Sequence, residues 1–298
     1  MLTFADVEYR NLLVINGLEN RYLKVEQGQL QLMDSAADAC IAKIPMTKML
    51  ALIVVGHTSI TTALMELCNK NNVPVVVTRP NLRPVFYYGR MQEGNYLLRQ
   101  KQYAYPQGSI EIARHLVKNK ALNQLLLLGK IRDKTPLVVD NMAMLKTQIE
   151  KIEQATELKE LLGIEGIIAK YYFQAYFEKQ NWTQRLPRQK PDPINAMLDM
   201  GYTTMFNYMI CMVRLFGFDP YVGVYHQLFH ERKSLVCDLM EPFRCIIERK
   251  IRKSLQDRTF KMEDFENKNG SFQLAKGKYM HYTQAFFEAI MAHKMPIF

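Results

Sequence analysis

Over the first ninety positions the apolar residues come in short runs separated by turn residues, whereas beyond residue 94 they return every three or four positions. NLLVING (11–17), RYLKVEQGQLQLM (21–33), LIVVG (52–56), NVPVVVTR (72–79) and PVFYYG (84–89) are rich in Val, Ile and Tyr and bounded by Gly, Asn or Pro, which predicts strands. One helix interrupts them: Ile60, Ala63, Leu64, Leu67 and Cys68 recur at helical spacing, with Thr58 or Ser59 as its cap. The later periodicity predicts helices near 94–105, 109–129, 136–162, 164–180, 194–216, 236–255 and 279–294. The expected class is therefore α+β, with a small strand-rich N-terminal domain over residues 1–90 and a larger all-helical domain over 91–298.

One boundary is well marked. Asp192 is a natural N-cap with Pro193 at the first helical position, and Gly217 stops the helix before Pro220. The preceding stretch NWTQRLPRQKPDP (181–193) reads as an exposed basic loop, and 257–278 as a surface loop. No apolar run approaches the roughly 18 residues of a membrane span, so a cytoplasmic protein with no membrane partner is expected. Five scattered cysteines without a CxxC indicate neither a disulfide framework nor a zinc site. The net charge of +10 favours a polyanion, and without a basic amphipathic helix of uninterrupted apolar face, nucleic acid is preferred over an anionic membrane.

Candidate chemistry gathers in GVYHQLFHERKSLVCDLMEPFR (223–244). Asp238 and Glu241 share a helix face, where Arg244 can neutralise them as a solvated ion pair. Pro242 forces the helix to begin near 238, with Asp238 as its cap, or to kink there. A second carboxylate, Glu165, lies in the largely apolar helix LLGIEGIIAKYYFQAYF (161–177), where ionisation requires a counter-ion, a retained proton or a metal, unless it is only a first-turn glutamate. His226 with two carboxylates from separate helices suits Mg²⁺ or Mn²⁺, and phosphoryl transfer on a nucleic-acid backbone is the chemistry such a site serves in a basic protein. His230 stands one turn from His226 if that segment is helical, and Trp182 either packs or stacks on a base.

Three motifs in order, GIEGIIAKYYFQAYF, the basic loop into DPINAMLDMGY, and GVYH…SLVCDLMEPFR, resemble the CRISPR-associated adaptation integrase, the protein of spacer acquisition. HTSITTALMELCNKNNVPVVVTRPNLRPVFYYG and NYLLRQKQYAY are similar to that family too, so the resemblance spans essentially the full chain. It implies that Glu165, His226 and Glu241 are the catalytic triad that binds Mg²⁺ or Mn²⁺, with Asp238 behind them or positioning DNA. Asn195 and Tyr202 match residues lining the site, and Arg185 and Arg188 sit where phosphate contacts are expected. The match points to His226 rather than His230. It further implies a homodimer through the N-terminal domains, a small ferredoxin-like partner protein, and double-stranded DNA as substrate, both the captured fragment and the CRISPR repeat. The implied reaction is transesterification, in which the 3′-hydroxyl of the captured fragment attacks a repeat phosphodiester. A plain metal-dependent DNA nuclease and a non-catalytic nucleic-acid-binding scaffold are the alternatives.

Overall fold

The computed structural model of the chain describes residues 4–16, 21–56, 59–80, 82–89, 96–105, 108–180, 182 and 184–293. A strand-rich N-terminal part precedes a helix-rich remainder. The division into compact units does not follow one cut at residue 90: the first unit takes the described residues of 1–101, 207–219 and 276–298, and the second those of 102–206 and 220–275.

In the first unit, α1 (Phe4–Tyr9) precedes β1 (Asn11–Asn16), β2 (Arg21–Glu26), β3 (Gln29–Asp34), β4 (Cys40–Pro45) and β5 (Met49–Val55). After them come α2 (Thr62–Lys70), β6 (Val75–Thr78), β7 (Pro84–Tyr88) and α3 (Tyr96–Ala104). One sheet has the order β1-β5-β6-β7, with β5 parallel to β1 and β6, and β7 antiparallel to β6. The other is the antiparallel meander β2-β3-β4. MLALIVV in β5 is buried at every position, as a central parallel strand covered on both faces must be. Ile15, Leu23, Leu30, Leu52, Val54, Leu64 and Val75 join both sheets and α2 in one core. RYLKVEQGQLQLM folds back on itself because Gln27 and Gly28 both take positive φ (51° and 72°), the two-residue turn that matches strand twist. The cap of α2 is Thr61, whose hydroxyl accepts from the Leu64 N–H, and not Ser59; Thr58 lies outside the described residues. The sequence pattern missed α1 and the edge strand β4, where exposed Ile41 and Lys43 blur the alternation.

In the second unit, α4 (Ile110–Gly129), α5 (Pro136–Ile152) and α6 (Leu158–Tyr176) pack against one another. The periodicity predicted one helix over 136–162, yet the chain breaks at 153–157. Arg114 Nε donates to the Ala155 carbonyl at 2.8 Å, and Glu160 accepts the Thr156 N–H at 2.9 Å. Side chains, with no Gly or Pro to announce it, satisfy the backbone groups that the break releases. α7 (Pro193–Phe216) begins as expected: the Asp192 carboxylate accepts the Asn195 N–H at 2.7 Å, and Gly217 at φ 106° ends it. α8 (Ser234–Met240), a 3₁₀ turn (Glu241–Phe243) and α9 (Arg244–Gln256) replace the single helix expected over 236–255. The segment 257–278 is not merely a loop, because β8 (Phe265–Lys268) and β9 (Ser271–Leu274) form a hairpin over Asn269 and Gly270, both at positive φ. The Asn-Gly pair was a hairpin signal in the sequence. α10 (Tyr279–Met291) belongs to the first unit and packs on β1.

Trp182 is buried, not exposed: it meets the rings of Phe173 and Phe177 edge-on, and its Nε1 donates to Asp192 at 2.9 Å. Asp192 thus ties the cap of α7 to the single tryptophan of the chain. Asp192→Ala is expected to lower stability by about 1–2 kcal/mol, read as a lower urea midpoint together with a red-shifted Trp182 emission; Asp192→Asn should retain most of both.

Candidate active site

The second unit brings together side chains from α4, α6, α8, the 3₁₀ turn, α9 and the loop before α8. On α4 the buried positions Ala113, Val117, Ala121 and Gln124 follow the helical repeat, and Lys120 falls in that stripe, three residues after Val117 and four before Gln124. Glu165 lies on α6 between the buried Ile164 and Ile168. Glu241 opens the 3₁₀ turn that Pro242 imposes, since a residue with no N–H cannot continue the ladder of α8. Asn123 Nδ2 donates to the Pro242 carbonyl at 2.9 Å and fastens that turn to α4.

The charges interlock. Lys120 Nζ is ion-paired to Glu165 Oε1 and lies 2.7 Å from Glu241 Oε2. Arg244 Nη2 donates to Glu241 Oε1 at 2.8 Å, and its Nε stands 2.8 Å from Oε2 without the alignment of a hydrogen bond. With Glu241 only 3% exposed, this is no solvated acidic face. Burial pushes the Glu241 carboxyl up, but the charges of Lys120 and Arg244 outweigh it and hold the group at about 2. Burial likewise works against the Lys120 ammonium, and Glu241 and Glu165 reverse the sign and raise it.

From Arg244 the contacts run inward. Its guanidinium lies 4.6 Å from the centre of the Tyr202 ring. Tyr202 OH donates to Glu248 Oε1 and Tyr172 OH to Oε2, each at 2.7 Å. Glu248 is wholly buried, and burial raises its carboxyl although both tyrosine hydrogen bonds pull the other way.

Asp238 is not a cap but a buried clasp inside α8. Its Oδ2 accepts the Val224 and Tyr225 N–H groups at 2.6 and 3.0 Å. Its Oδ1 accepts the His226 N–H at 2.8 Å and lies 2.7 Å from His226 Nδ1. The loop comes so close that a Cβ at Gly223 would stand 2.6 Å from Asp238 Oδ2 and 2.7 Å from the Ser234 carbonyl carbon, so only glycine fits. With Nδ1 held by a carboxylate, Nε2 is the nitrogen that His226 presents to a ligand. Tyr225 OH donates to Glu165 Oε2, and burial, then Glu165, raise its hydroxyl.

The remaining expected residues divide. Asn195 is fully buried and spends its amide on the loop before α7: Oδ1 accepts from Leu186 N and Arg185 Nη1, and Nδ2 donates to the Gln184 carbonyl and Asp192. Arg185 is ion-paired to Asp199 and lies 5.6 Å from the Tyr202 ring, so it braces the loop instead of projecting from it. Arg188 is exposed, with its N–H on Asp199. His230 is exposed in a non-helical segment and does not stand one helical turn from His226.

Glu165 and Glu241 meet through Lys120, and His226 joins them only by way of Tyr225 and Asp238. Among the described residues, no group of three His, Cys, Asp or Glu side chains stands close enough to hold a metal ion. The expected convergence of Glu165, His226 and Glu241 on one cation is therefore not the arrangement seen. The Lys120 ammonium separates the two carboxylates, and Tyr225 takes the second oxygen of Glu165. Sequence reasoning missed Lys120, Tyr225 and Glu248. A lysine on the buried stripe of α4 was the available signal for the first.

A family profile described as CRISPR associated protein Cas1 matches residues 15–288. The chain belongs to the Cas1 family. CRISPR-associated endonuclease Cas1 3 of Thermus thermophilus is 29% identical over 286 residues, which cover 92% of this chain and 83% of that protein. Among solved structures, a casposase bound to integration product matches 94% of this chain and 82% of its own with a TM-score of 0.73 at 20% identity. A Cas6-RT-Cas1–Cas2 complex matches 93% with a TM-score of 0.75 at 21% identity, and this chain spans only 32% of the matched chain there. The two structural likenesses establish that this member shares the Cas1 fold.

Glu165, Glu241 and His226 are donor types that a hard divalent ion takes, although the three do not stand together as one group among the described residues. Glu241 Oε2 is buried, faces two cations within 2.8 Å and has no aligned hydrogen-bond donor, so it is an oxygen poised for a positive charge. Glu165 offers a second carboxylate to the same charge, and His226 presents an oriented imidazole. Because Glu241 is held below its ordinary 4.5, its ion pairs stabilise the fold fully above that value and lose this contribution as pH falls toward about 2. Urea midpoints should therefore drop between pH 4.5 and 2 more steeply for the natural chain than for Glu241→Gln.

Proposed function

We propose that this Cas1-family chain is a metal-dependent DNA integrase of CRISPR spacer acquisition, acting by transesterification. The observation that carries this reading is that half-buried Glu165 and buried Glu241 share the Lys120 ammonium, while Asp238 orients the His226 ring. Glu165, His226 and Glu241 would hold Mg²⁺ or Mn²⁺. When bound, such an ion supplies positive charge at the reacting phosphate and favours the alkoxide form of the attacking hydroxyl.

The chain's own groups do the rest. Asp238 fixes the loop through three backbone N–H groups and sets the His226 tautomer. Arg244, seated on Tyr202 and anchored by Glu241, adds a fixed positive charge near the phosphate as negative charge builds on its oxygens. The 3′-hydroxyl oxygen of the captured DNA forms a new bond to phosphorus while the repeat's P–O3′ bond breaks. The attacking hydroxyl gives up its proton and the departing oxygen gains one. One phosphodiester replaces another, so no external energy source enters. Water in place of the 3′-hydroxyl would give hydrolysis, which agrees with the endonuclease name of the Thermus thermophilus relative.

The net charge of +10 supports double-stranded DNA as the partner, and Arg188 remains an exposed candidate for a phosphate contact. The casposase structure holds an integration product, which supports strand transfer over hydrolysis alone. The Cas1–Cas2 complex supports assembly with a small partner protein, for which we propose a ferredoxin-like dimer flanked by homodimers of this chain. No helix among the described residues is long and apolar enough to cross a membrane.

A strand-transfer assay with labelled duplex ends and a supercoiled repeat-bearing plasmid tests the reading. Joined product that requires Mg²⁺ or Mn²⁺ is expected from the natural chain. It should be lost in Glu165→Ala, His226→Ala and Glu241→Ala with DNA affinity largely kept, and unchanged in His230→Ala. Cleavage without joining would make the chain a plain nuclease, and binding without either a scaffold. Asp238→Asn, which loosens the histidine clasp, should cost roughly 10- to 100-fold in activity.

A further inference from the structure

Lys120 is the one member of the charge cluster with no part in the proposed chemistry, yet it touches both carboxylates. It holds one oxygen of each, Glu165 Oε1 and Glu241 Oε2, and these are oxygens that a divalent ion bound by the pair would need. The ammonium and the ion therefore compete for the same atoms.

Of the two cations at the site, Lys120 is the one built to move. Arg244 is held by two approaches to Glu241 and by the Tyr202 ring. Lys120 ends in a point charge on a rotatable four-carbon stem, and 12% of its side chain is exposed. The other oxygens of the same carboxylates are already engaged. Glu165 Oε2 is taken by Tyr225 OH, and Glu241 Oε1 by Arg244 Nη2. The anion that could receive it is the phosphodiester of a bound DNA.

We propose that Lys120 is a displaceable internal counter-cation that makes divalent-ion binding at Glu165 and Glu241 depend on bound DNA. The inference rests on the metal-site reading above and adds a coupling to it. In the free protein the lysine neutralises the pair and opposes the ion. With DNA present, a phosphate takes up the ammonium and the ion binds more tightly. Linkage requires the ion to tighten DNA binding by the same factor. The free protein then carries little loaded metal and little stray hydrolysis.

Mn²⁺ titrations followed by electron paramagnetic resonance, on the full chain with and without a short duplex, test this. Natural protein should bind Mn²⁺ weakly alone and roughly tenfold more tightly with the duplex, and Lys120→Met should bind it about as tightly without DNA, gaining little when DNA is added. Equal or weaker Mn²⁺ binding by Lys120→Met without DNA overturns the proposal while leaving the metal site standing. If Glu241→Gln binds Mn²⁺ as the natural chain does, the metal-site reading itself fails and the inference with it. Should Lys120→Met not fold, amine labelling of the natural protein read by mass spectrometry decides. Lys120 should label slowly alone and several-fold faster with Mn²⁺ and duplex together, while Lys118, paired to Glu153 on the surface, stays constant. No change at Lys120 when Mn²⁺ is bound overturns the proposal.

Discussion

Two carboxylates and two cations are matched against one another inside the helical unit, and the placement of its helices follows from the need to keep them so. Glu241 is almost wholly withdrawn from water, a position an isolated carboxylate could not hold in charged form. Lys120 from α4 and Arg244 from the first turn of α9 make its charge the favoured state. Glu165 from α6 balances the ammonium in turn. Moving any of these elements away would strand a charge, so the ion pairs specify how α4, α6 and the turn at Pro242 meet, beyond what apolar packing alone would fix.

The cluster does not end at the charges. Tyr202 lies against the Arg244 guanidinium with its ring and reaches Glu248 with its hydroxyl, and Tyr172 reaches the same carboxyl from α6. Glu248 acts as an acceptor deep in the core for two hydroxyls that would otherwise be buried without partners. Burial leaves it little solvation and raises its carboxyl. Tyrosine serves here because it fills the core with a ring and carries a donor at its tip. Asn195 and Arg185 play the corresponding part on the loop before α7, where they hold backbone and not substrate.

Much of this was legible in the chain, and what was not has specific physical causes. The strands of the first unit other than β4, and the ends of α7, followed from β-branched runs, Asp192, Pro193 and Gly217. The break between α5 and α6 was invisible because Arg114 and Glu160 make it with side chains. Glu165 stood out as an acid in an apolar helix, and Glu241 and His226 through their motif. Asp238 was read as a possible cap, since nothing in its spacing reveals the fold-back of the loop over α8. Tyr225 and Glu248 were hidden because a loop tyrosine and a helical glutamate are ordinary until a tertiary contact defines them. Arg185 looked like a phosphate contact because a basic loop suggests one, and only Asp199, in the second turn of the next helix, shows that its charge is already matched.

Gly223 fixes a histidine three residues away by what it lacks. The missing methyl lets the backbone lie against Asp238 and Ser234, and that contact lets a single carboxylate reach three consecutive N–H groups and a ring. The loop and α8 are thus joined as one rigid piece without a covalent cross-link. Any side chain at this position would collide, for a reason that belongs to shape and not to reactivity. A substitution there would loosen the loop and the His226 ring together, although the altered residue holds neither through a side chain of its own.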